Sequence, residues 1–313
     1  MALRRWATRM RDAHRLNAML LLAAVAAGFV LTASVSSRVS SANHAAHSTV
    51  TDATGTEVAV REYSRIVSTS TIADQVLIEI IDPARLLAVS AHTLRMQKSE
   101  QYDDKIGVER ARDIETIIEL RPDLVFTNNF VDRRHVERFK DAGLNVFDMG
   151  QMRGLQTLPN NIRQVAAVVG VPERGERLAE RVLAELAEVS ADIPENERRR
   201  GLYVGIHGDR LYGGAEGTSF HDVLLAGGLV DVAAEAGFHG WPAFTNEQLL
   251  SLDPPWILTN PGTEEALCRH PGLRALQACK RDRVRSIETD LLTDPGLGMV
   301  EAARAIRLAI YGD

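Results

Sequence analysis

Short apolar runs alternate with segments of helical apolar spacing along most of this chain. Residues 65–68 and 85–90 are rich in the aliphatic side chains of buried strands, and residues 71–80 between them have the spacing of a helix. The alternation continues with a helix over residues 131–142 and a strand over residues 145–148. Strands separated by helices predict βαβ units and therefore parallel sheets.

One stretch of this pattern occurs twice, 132 residues apart. The segment from Glu115 to Asn128 is echoed by the segment from Glu247 to Asn260. In each copy an acidic residue opens a short helical turn, a proline ends it, and an apolar run follows before Thr-Asn closes the strand. Two copies predict two similar α/β lobes, and ligands of such chains bind between domains and beyond the carboxyl ends of parallel strands.

The segment between the two lobes has the apolar spacing of a helix over residues 156–195, interrupted near Gly170 and Pro172. The predicted fold is therefore α/β, with two Rossmann-like lobes of parallel sheet, residues 58–155 and 196–313, joined by one long helix. The ligand cleft lies between the lobes. A stiff helical connection favours only small closing motions, whereas hinge strands allow large ones.

The amino-terminal end of the chain differs from the rest. Five arginines precede an apolar stretch over residues 19–33, and small residues follow. This pattern predicts a cleaved signal peptide over residues 1–35 and a flexible lead-in over residues 36–57, and hence a periplasmic protein. An uncleaved segment that anchors the protein to the membrane is the alternative.

Composition narrows the function classes. The 313 residues are 45% hydrophobic and 25% charged, which suffices for two cores of ordinary size. The net charge of −6 and the lack of a dense basic run argue against nucleic acid as a partner. If the chain is exported, Cys268 and Cys279 lie in an oxidising compartment, where we expect a local disulfide; two unpaired thiols on opposite sides of a helix are the alternative.

Four segments in order carry a family resemblance: residues 65–74, 113–125, 217–228 and 240–249. Together they resemble the helical-backbone class (class III) of substrate-binding proteins, which serve ABC importers of iron-siderophores, heme and cobalamin. The resemblance runs from about Val58 to a last helix over residues 295–311. It implies a monomeric periplasmic protein that captures a metal chelate between two lobes and delivers it to an ABC transporter permease.

The resemblance also implies a docking role for two carboxylates. In relatives, a glutamate on each lobe contacts arginines of the permease, and the matching positions here are Glu115 and Glu247. A carboxylate in the first turn of a helix is also stabilised by the helix dipole, whatever its partners. The two explanations are compatible for each residue.

The nature of the chelate depends on one aromatic residue and on a missing one. Trp241 and Pro242 resemble the Trp-Pro of cobalamin-binding relatives, where the indole faces the corrin. The alternative is a tryptophan packed in the core beside Phe238 and Phe244. Heme-binding relatives ligate iron with a tyrosine where this chain has Val108, which counts against that heme mode. The expectation is cobalamin, followed by a ferric siderophore, with heme as the alternative.

Further ligand contacts are expected from loops that follow the strands. Arg153 and Arg210 suit an anionic ligand such as a ferric siderophore, because a guanidinium pairs with carboxylate or catecholate oxygens. The histidines fit no compact metal motif, so the sequence predicts neither a metal site nor a cofactor. The remaining candidates are Ser70, Thr71, His92, Asn129, Phe130, Tyr212 and His239.

Two other function classes stay open. An exported enzyme is disfavoured because the chain has no Gly-x-Ser-x-Gly elbow, no phosphate-binding glycine loop and no paired-cysteine metal knuckle. A symmetric two-lobe cleft suits capture, while catalysis needs an asymmetric constellation of groups. A membrane-tethered ligand sensor with the same fold is the second alternative, if residues 19–33 remain as an anchor.

Overall fold

A computed structural model describes residues 48–96, 99–109, 113–128, 131–208, 210–288 and 296–312. The chain divides into two units, residues 1–49 and 50–313, and the account below concerns the second. The predicted signal peptide, residues 1–35, lies outside the described residues. Within the described ranges, no helix combines the length and the apolar character needed to cross a membrane.

The first lobe is a parallel sheet with helices packed on it. Two short strands, β1 (Thr49–Thr51) and β2 (Glu57–Ala59), precede the sheet. In the described part of the chain the strand order is β5-β4-β3-β6-β7. The strands are β3 (Ile66–Ser68), β4 (Leu86–Ser90), β5 (Ile106–Val108), β6 (Leu124–Thr127) and β7 (Val146–Asp148), and the helices are α1 (Thr71–Ile80), α2 (Ala91–Met96), α3 (Ile114–Glu119) and α4 (Arg133–Asp141).

The connecting segment consists of two helices, α5 (Leu158–Val168) and α6 (Pro172–Glu188), which corrects the prediction of one long helix. Gly170 ends the first in a left-handed conformation, with φ of 81°, and a proline starts the second. The two helices cross closely, because a Cβ placed on Gly175 would lie 2.2 Å from the Cβ of Ala166.

Helix α6 contacts both lobes. On one side Arg181 pairs with Glu79 of α1 at 2.9 Å, and on the other Glu185 pairs with Arg304 at 3.1 Å. Arg304 belongs to the final helix of the second lobe, residues 299–311. A helix fixed to both lobes in this way opposes large hinge motions between them.

The second lobe repeats the order of the first. Its parallel sheet has the order β11-β8-β13-β14, and a small antiparallel sheet has the order β12-β10-β9. The strands are β8 (Arg199–Tyr203), β9 (Gly205–His207), β10 (Arg210–Tyr212), β11 (Leu229–Asp231), β12 (Ala243–Phe244), β13 (Trp256–Thr259) and β14 (Val284–Ser286). The helices are α7 (Ser219–Ala226), α8 (Val232–Glu235), α9 (Asn246–Leu252), α10 (Glu264–Arg269), α11 (Gln277–Lys280) and α12 (Met299–Tyr311).

The repeated segments form matching elements, so the prediction of two similar lobes is confirmed. The first copy forms α3 and β6, and the second forms α9 and β13. Strand β6 lies between β3 and β7, and β13 lies between β8 and β14 in the same relation. The carboxyl ends of corresponding strands therefore carry corresponding loops.

Residues 48–57, the described part of the lead-in predicted as flexible over residues 36–57, are ordered, and the prediction is corrected for them. Asp52 is 5% exposed, and its carboxylate accepts hydrogen bonds from the backbone N–H groups of Thr54, Thr56 and Asp148, at 2.8, 2.9 and 3.2 Å. Ala53 also donates its N–H to the carbonyl of Asp148 at 2.9 Å. These bonds attach the segment before residue 58 to the end of β7.

Cys268 of α10 and Cys279 of α11 form a disulfide, as expected from the sequence. Their Cα atoms lie 5.4 Å apart. Both half-cystines pack against an apolar cluster of the second lobe that contains Leu267, Leu273 and Leu276. The bond therefore closes a short loop over one part of the second lobe's core.

Candidate functional site

The carboxyl end of the first sheet presents polar side chains around a thioether. Ser70 follows β3, is fully buried and precedes α1. Its hydroxyl lies 3.9 Å from the sulfur of Met152, and the amide nitrogen of Asn128 lies 3.7 Å from the same sulfur. Met152 comes from the loop after β7, so three strand ends meet there. The sequence placed this loop at the cleft without distinguishing Met152 from its neighbours.

A buried carboxylate lies behind this edge. Asp74 of α1 is fully buried, and its Oδ2 accepts hydrogen bonds from the Ser90 N–H at 3.0 Å and from the Thr93 hydroxyl at 2.6 Å. Burial raises the pKa of Asp74 to about 7, although those hydrogen bonds oppose the rise. Sequence reasoning missed this group, because an aspartate in an amphipathic helix gives no sign of full burial.

The second lobe presents a cluster of aromatic rings at the carboxyl ends of β8 and β13. Tyr203 donates its hydroxyl proton to Asn260 Oδ1 at 2.9 Å, and Asn260 Nδ2 donates to the Tyr212 hydroxyl at 3.4 Å. The two tyrosine rings are 6.1 Å apart in an edge arrangement. Gly205 makes this possible, since a Cβ there would lie 2.3 Å from Tyr212 Cζ. Burial raises the pKa of Tyr203, so its phenol is neutral at ordinary pH.

Trp241 extends this cluster to the surface. Its ring stands edge-on to Phe220, with centroids 5.0 Å apart, and Phe220 lies 4.5 Å from Tyr203. Trp241 is 60% exposed, so the alternative of a tryptophan buried beside Phe238 and Phe244 is wrong. Those two phenylalanines pair with each other instead. The indole is therefore largely exposed to solvent, and the buried ring of Phe220 packs against it in a T-shaped arrangement.

Backbone hydrogen bonds fix the segment that carries Trp241. Gly240 donates its N–H to the carbonyl of Glu216 at 2.9 Å, and its own carbonyl accepts from Ala215 at 2.9 Å. His239 Nδ1 lies 2.9 Å from the Glu216 carboxylate, and both side chains are exposed. His239, a predicted ligand contact two residues before Trp241, therefore has an acidic partner in Glu216.

The two lobes meet at a short turn after β7. The N–H of Leu155 donates to Asp222 Oδ2 of α7 at 2.7 Å, and burial raises the pKa of Asp222. Gly154 has a φ of 53°, and a Cβ there would lie 2.0 Å from the same carboxylate oxygen. Only a glycine permits this approach, which brings Arg153 to the junction between the lobes.

The other predicted contacts are dispersed. Thr71 and His92 are half-buried at the ends of β3 and β4, while Arg153 is exposed. Arg210 lies opposite His207 in the β9–β10 hairpin and lines a separate open pocket that includes His270. The structure thus does not bring Arg210 together with Trp241 as one set. Asn129 and Phe130 lie outside the described residues.

The two predicted docking carboxylates lie at equivalent places. Glu115 and Glu247 are exposed in the first turns of α3 and α9. Glu115 pairs with Arg138 at 2.8 Å. The pKa of Glu115 is lowered, first by a hydrogen bond from the backbone at the start of its own helix and second by the hydrogen bond from Arg138. A capping box between Thr245 and Gln248 begins the helix of Glu247.

Metal ligands do not converge in the part of the chain that the structure describes. There, no three side chains of histidine, cysteine, aspartate or glutamate approach closely enough to hold an ion. The chemistry of the described cleft edges is therefore that of apolar rings, hydroxyl groups and amides. Such a surface is suited to covering a bulky ligand.

Known proteins of one class are similar to this chain. A family model described as periplasmic binding protein matches residues 66–291. The chain is 22% identical over 207 residues to the uncharacterized ABC transporter substrate-binding lipoprotein YvrC of Bacillus subtilis, covering 64% of this chain and 65% of that protein. It is 26% identical over 179 residues to the vitamin B12-binding protein of Salmonella typhimurium, covering 57% and 65%. The chain thus spans less than two thirds of either relative.

A solved structure shares the two-lobe fold. The apo form of the periplasmic heme-binding protein RhuT from Roseiflexus sp. RS-1 superposes with a TM-score of 0.69 at 22% identity, covering 80% of this chain and 98% of that one. At this identity the likeness concerns the fold and carries no ligand over.

Proposed function

The chain belongs to the periplasmic binding protein family, and from that membership we propose that it captures a metal chelate between its lobes and delivers it to an ABC-type importer. The observation that carries the proposal is the exposed indole of Trp241, held edge-on to Phe220 at the carboxyl ends of the second sheet. An exposed aromatic face at the rim of a two-lobe cleft is a surface for a flat ligand.

Cobalamin is the preferred chelate, ahead of a ferric siderophore. A corrin offers a flat apolar face of a size that an indole covers. Covering roughly 200 Å² at about 25 cal/mol/Å² sets an upper limit near 5 kcal/mol. The vitamin B12-binding relative in Salmonella typhimurium supports the same preference. The exposed Arg153 would pair with acidic oxygens of a ferric siderophore instead.

Heme is the alternative ligand within the same class. A heme-binding protein has the same fold, and the observation against heme in this chain is Val108. That residue is fully buried in β5 and has no atom that ligates iron. In the second lobe, the tyrosine hydroxyls of Tyr203 and Tyr212 already form hydrogen bonds with the Asn260 side chain.

Delivery rests on the two exposed carboxylates at equivalent helix starts. We propose that Glu115 and Glu247 face arginines of the permease, one on each side of the cleft. Surface pairs of this kind contribute about 0 to 1 kcal/mol each, so they orient docking rather than supply its affinity. The proposed carrier is a monomer, exported through the segment before residue 36 and working in the periplasm. A membrane-tethered sensor would use the same cleft.

Ligand titration tests the proposal directly. Cyanocobalamin, a ferric hydroxamate siderophore and hemin are each titrated into the protein by calorimetry, and the absorbance spectrum of protein purified from its native host is recorded. We expect corrinoid bands and a submicromolar dissociation constant for cyanocobalamin. Iron-siderophore bands would change the preferred chelate from cobalamin to a ferric siderophore and leave the proposed capture of a metal chelate in place. Binding of none of the three, with no chromophore in the native protein, would refute it.

A further inference from the structure

Arginines surround one indole at the amino-terminal edge of the second sheet. Trp256 begins β13 and is 8% exposed. The guanidinium carbons of Arg199, Arg283 and Arg285 lie 5.2, 5.3 and 5.5 Å from the centroid of its ring. These are distances of cation–π contact, and one ring serves three cations.

Two more arginines extend the group into a pocket. Arg198 and Arg200 join Arg199, Arg283 and Trp256 in lining an open cavity of about 300 Å³. The sheet order explains the convergence, because β13 lies between β8, which begins at Arg199, and β14, which contains Arg285 and directly follows Arg283. Both basic segments must therefore border the start of β13.

Carboxylates balance only part of this charge. Among the described residues, Glu235 pairs with Arg200 at 2.6 Å. Arg198 donates instead to the carbonyl of Leu225 at 3.0 Å, and Arg285 to the carbonyl of Asp282 at 2.9 Å. Carbonyl oxygens satisfy N–H groups without cancelling their charge, so the pocket keeps an excess of positive charge.

The first lobe has no such arrangement at the matching position. The residue of the repeat that corresponds to Trp256 is Leu124, which starts β6 and is fully buried. Beside Trp256, Gly201 of β8 permits a close approach of the two strands, since a Cβ there would lie 3.0 Å from the Trp256 carbonyl oxygen and 3.2 Å from Trp256 Cβ. The arginine pocket is therefore a property of the second lobe and not of the shared fold.

This pocket is separate from the cleft. Strand β8 runs from Arg199 at the pocket to Tyr203 at the aromatic cluster. Four residue steps at about 3.3 Å put the two ends roughly 13 Å apart along the strand. A chelate at the carboxyl ends of the strands would not reach the arginines at the opposite edge.

We infer that this pocket binds an oxyanion of the phosphate class. Guanidinium groups form paired N–H bonds to phosphate oxygens, and the indole removes water from one side of them, which strengthens such bonds. The like charges gathered around Trp256 repel one another, and a bound oxyanion would relieve that repulsion. The phosphate is either free in solution or part of a phospholipid headgroup. The inference does not rest on the proposed transport function.

The test measures binding of inorganic pyrophosphate to the full chain by calorimetry, together with cosedimentation on phosphatidylglycerol and phosphatidylcholine vesicles. We expect pyrophosphate to bind with a dissociation constant below about 1 mM. The double variant Arg200→Gln/Arg283→Gln should bind at least tenfold more weakly. The control Arg133→Gln/Arg274→Gln removes two exposed arginines elsewhere and should bind as the wild type does.

The outcomes separate the sources of phosphate. Cosedimentation with phosphatidylglycerol that is lost only in Arg200→Gln/Arg283→Gln identifies a lipid headgroup, and pyrophosphate binding without cosedimentation identifies a soluble phosphate. If thermal unfolding shows that this variant is not folded, the single variant Arg283→Gln, which also removes a pocket-lining arginine, takes its place and should bind pyrophosphate severalfold more weakly than the wild type. The inference is overturned by equal binding in both double variants, or by no binding of the wild type to either probe.

Discussion

Arg121 and Asp253 occupy the same position of the sequence repeat and share a left-handed backbone conformation, with φ of 46° and 35°. Each directly precedes a proline, Pro122 or Pro254, which starts the turn into the next strand. The left-handed region costs a non-glycine residue about 1 kcal/mol. The two lobes therefore share a strained turn as well as a pattern of side chains.

Replacing these two residues by glycine should change the stability by different amounts. For Arg121→Gly, relief of the strain roughly offsets the entropy that glycine loses on folding, so the free energy of unfolding should change by less than about 1 kcal/mol. For Asp253→Gly it should fall by about 1 to 2 kcal/mol, because Asp253 Oδ1 accepts the N–H of Gln277 at 2.7 Å. Urea unfolding of both variants measures the difference. Equal losses would show that strain is not the main cost.

Trp241 should contribute to ligand affinity and little to stability. Trp241→Ala removes a ring that is 60% exposed, so its melting temperature should stay within a few degrees of the wild type. Chelate affinity should fall by about 1 to 3 kcal/mol, below the limit set by area because burial in the complex is partial. Calorimetry with cyanocobalamin measures the affinity.

The matched variant is Phe220→Ala, on the other side of the same ring contact. Phe220 is 3% exposed, and its removal should cost about 3 to 5 kcal/mol of stability. Unchanged chelate affinity in Trp241→Ala, combined with a sharp drop in its melting temperature, would make Trp241 a structural residue. The preference for cobalamin would then lose its main support.

The fold could be predicted from the sequence where local signals agree. The helix predicted over residues 71–80 is α1, and the repeat identified matching strands. The connecting segment departed from prediction because the interruption of the apolar spacing near Gly170 and Pro172, which the sequence indicated, ends one helix and starts another instead of leaving one long helix. The hydrogen bond between Asp52 and Asp148 could likewise not be predicted from the sequence, because it joins residues far apart in the chain.

The site was less predictable, because it depends on burial and contact. The sequence indicated Trp241 but could not decide between a core and a surface position. Its exposure follows from backbone bonds that place Gly240 against Glu216. Asp74, which is buried, and Asp222, which is half-buried, were missed because the groups that bond to their carboxylates belong to other elements.

Removing the disulfide should destabilise the second lobe. The variant Cys268→Ser/Cys279→Ser opens the loop between two cysteines that are 11 positions apart in the sequence. Loop-closure entropy predicts that the free energy of unfolding falls by about 2 to 3 kcal/mol. Urea unfolding under nonreducing conditions measures it, and wild-type protein unfolded without reductant should give no thiol signal. A double variant as stable as the wild type would show that packing around Leu273 alone holds this loop.

Stability should decrease as pH rises from about 4 to about 7 through the Asp74 carboxyl. Its pKa is about 7 in the folded chain and near 3.8 unfolded, so the folded state holds one more proton in that interval. The free energy of unfolding then falls by about 1.4 kcal/mol per pH unit and levels off above pH 7. The hydrogen bond to Asp231 also raises the pKa of His221, so the protonated imidazole contributes to stability. This contribution is complete below pH 6.5 and is lost as the pH rises above that value, which adds to the fall in the free energy of unfolding.

The variant Asp74→Asn isolates this contribution. An asparagine stays neutral, and its oxygen still accepts from Ser90 and Thr93. Urea unfolding at several pH values between 4.5 and 7.5 should therefore show a slope smaller by about one proton than in the wild type. An identical slope in wild type and variant would mean that Asp74 is ionised throughout.

Reversing the charge of Glu115 and Glu247 together should abolish transporter-coupled uptake and leave chelate affinity nearly unchanged. Both carboxylates are exposed at helix starts, and an arginine facing permease arginines would repel them.

The matched control is Glu173→Arg/Glu301→Arg, which reverses charge in the first turns of α6 and α12. It loses the same helix-dipole stabilisation, about 0.3 to 1 kcal/mol per residue. Uptake of labelled chelate into vesicles that contain the importer, with calorimetry of each variant, measures both quantities. Normal uptake by the Glu115→Arg/Glu247→Arg protein, or an equal loss in the control, would remove these two residues from the docking role.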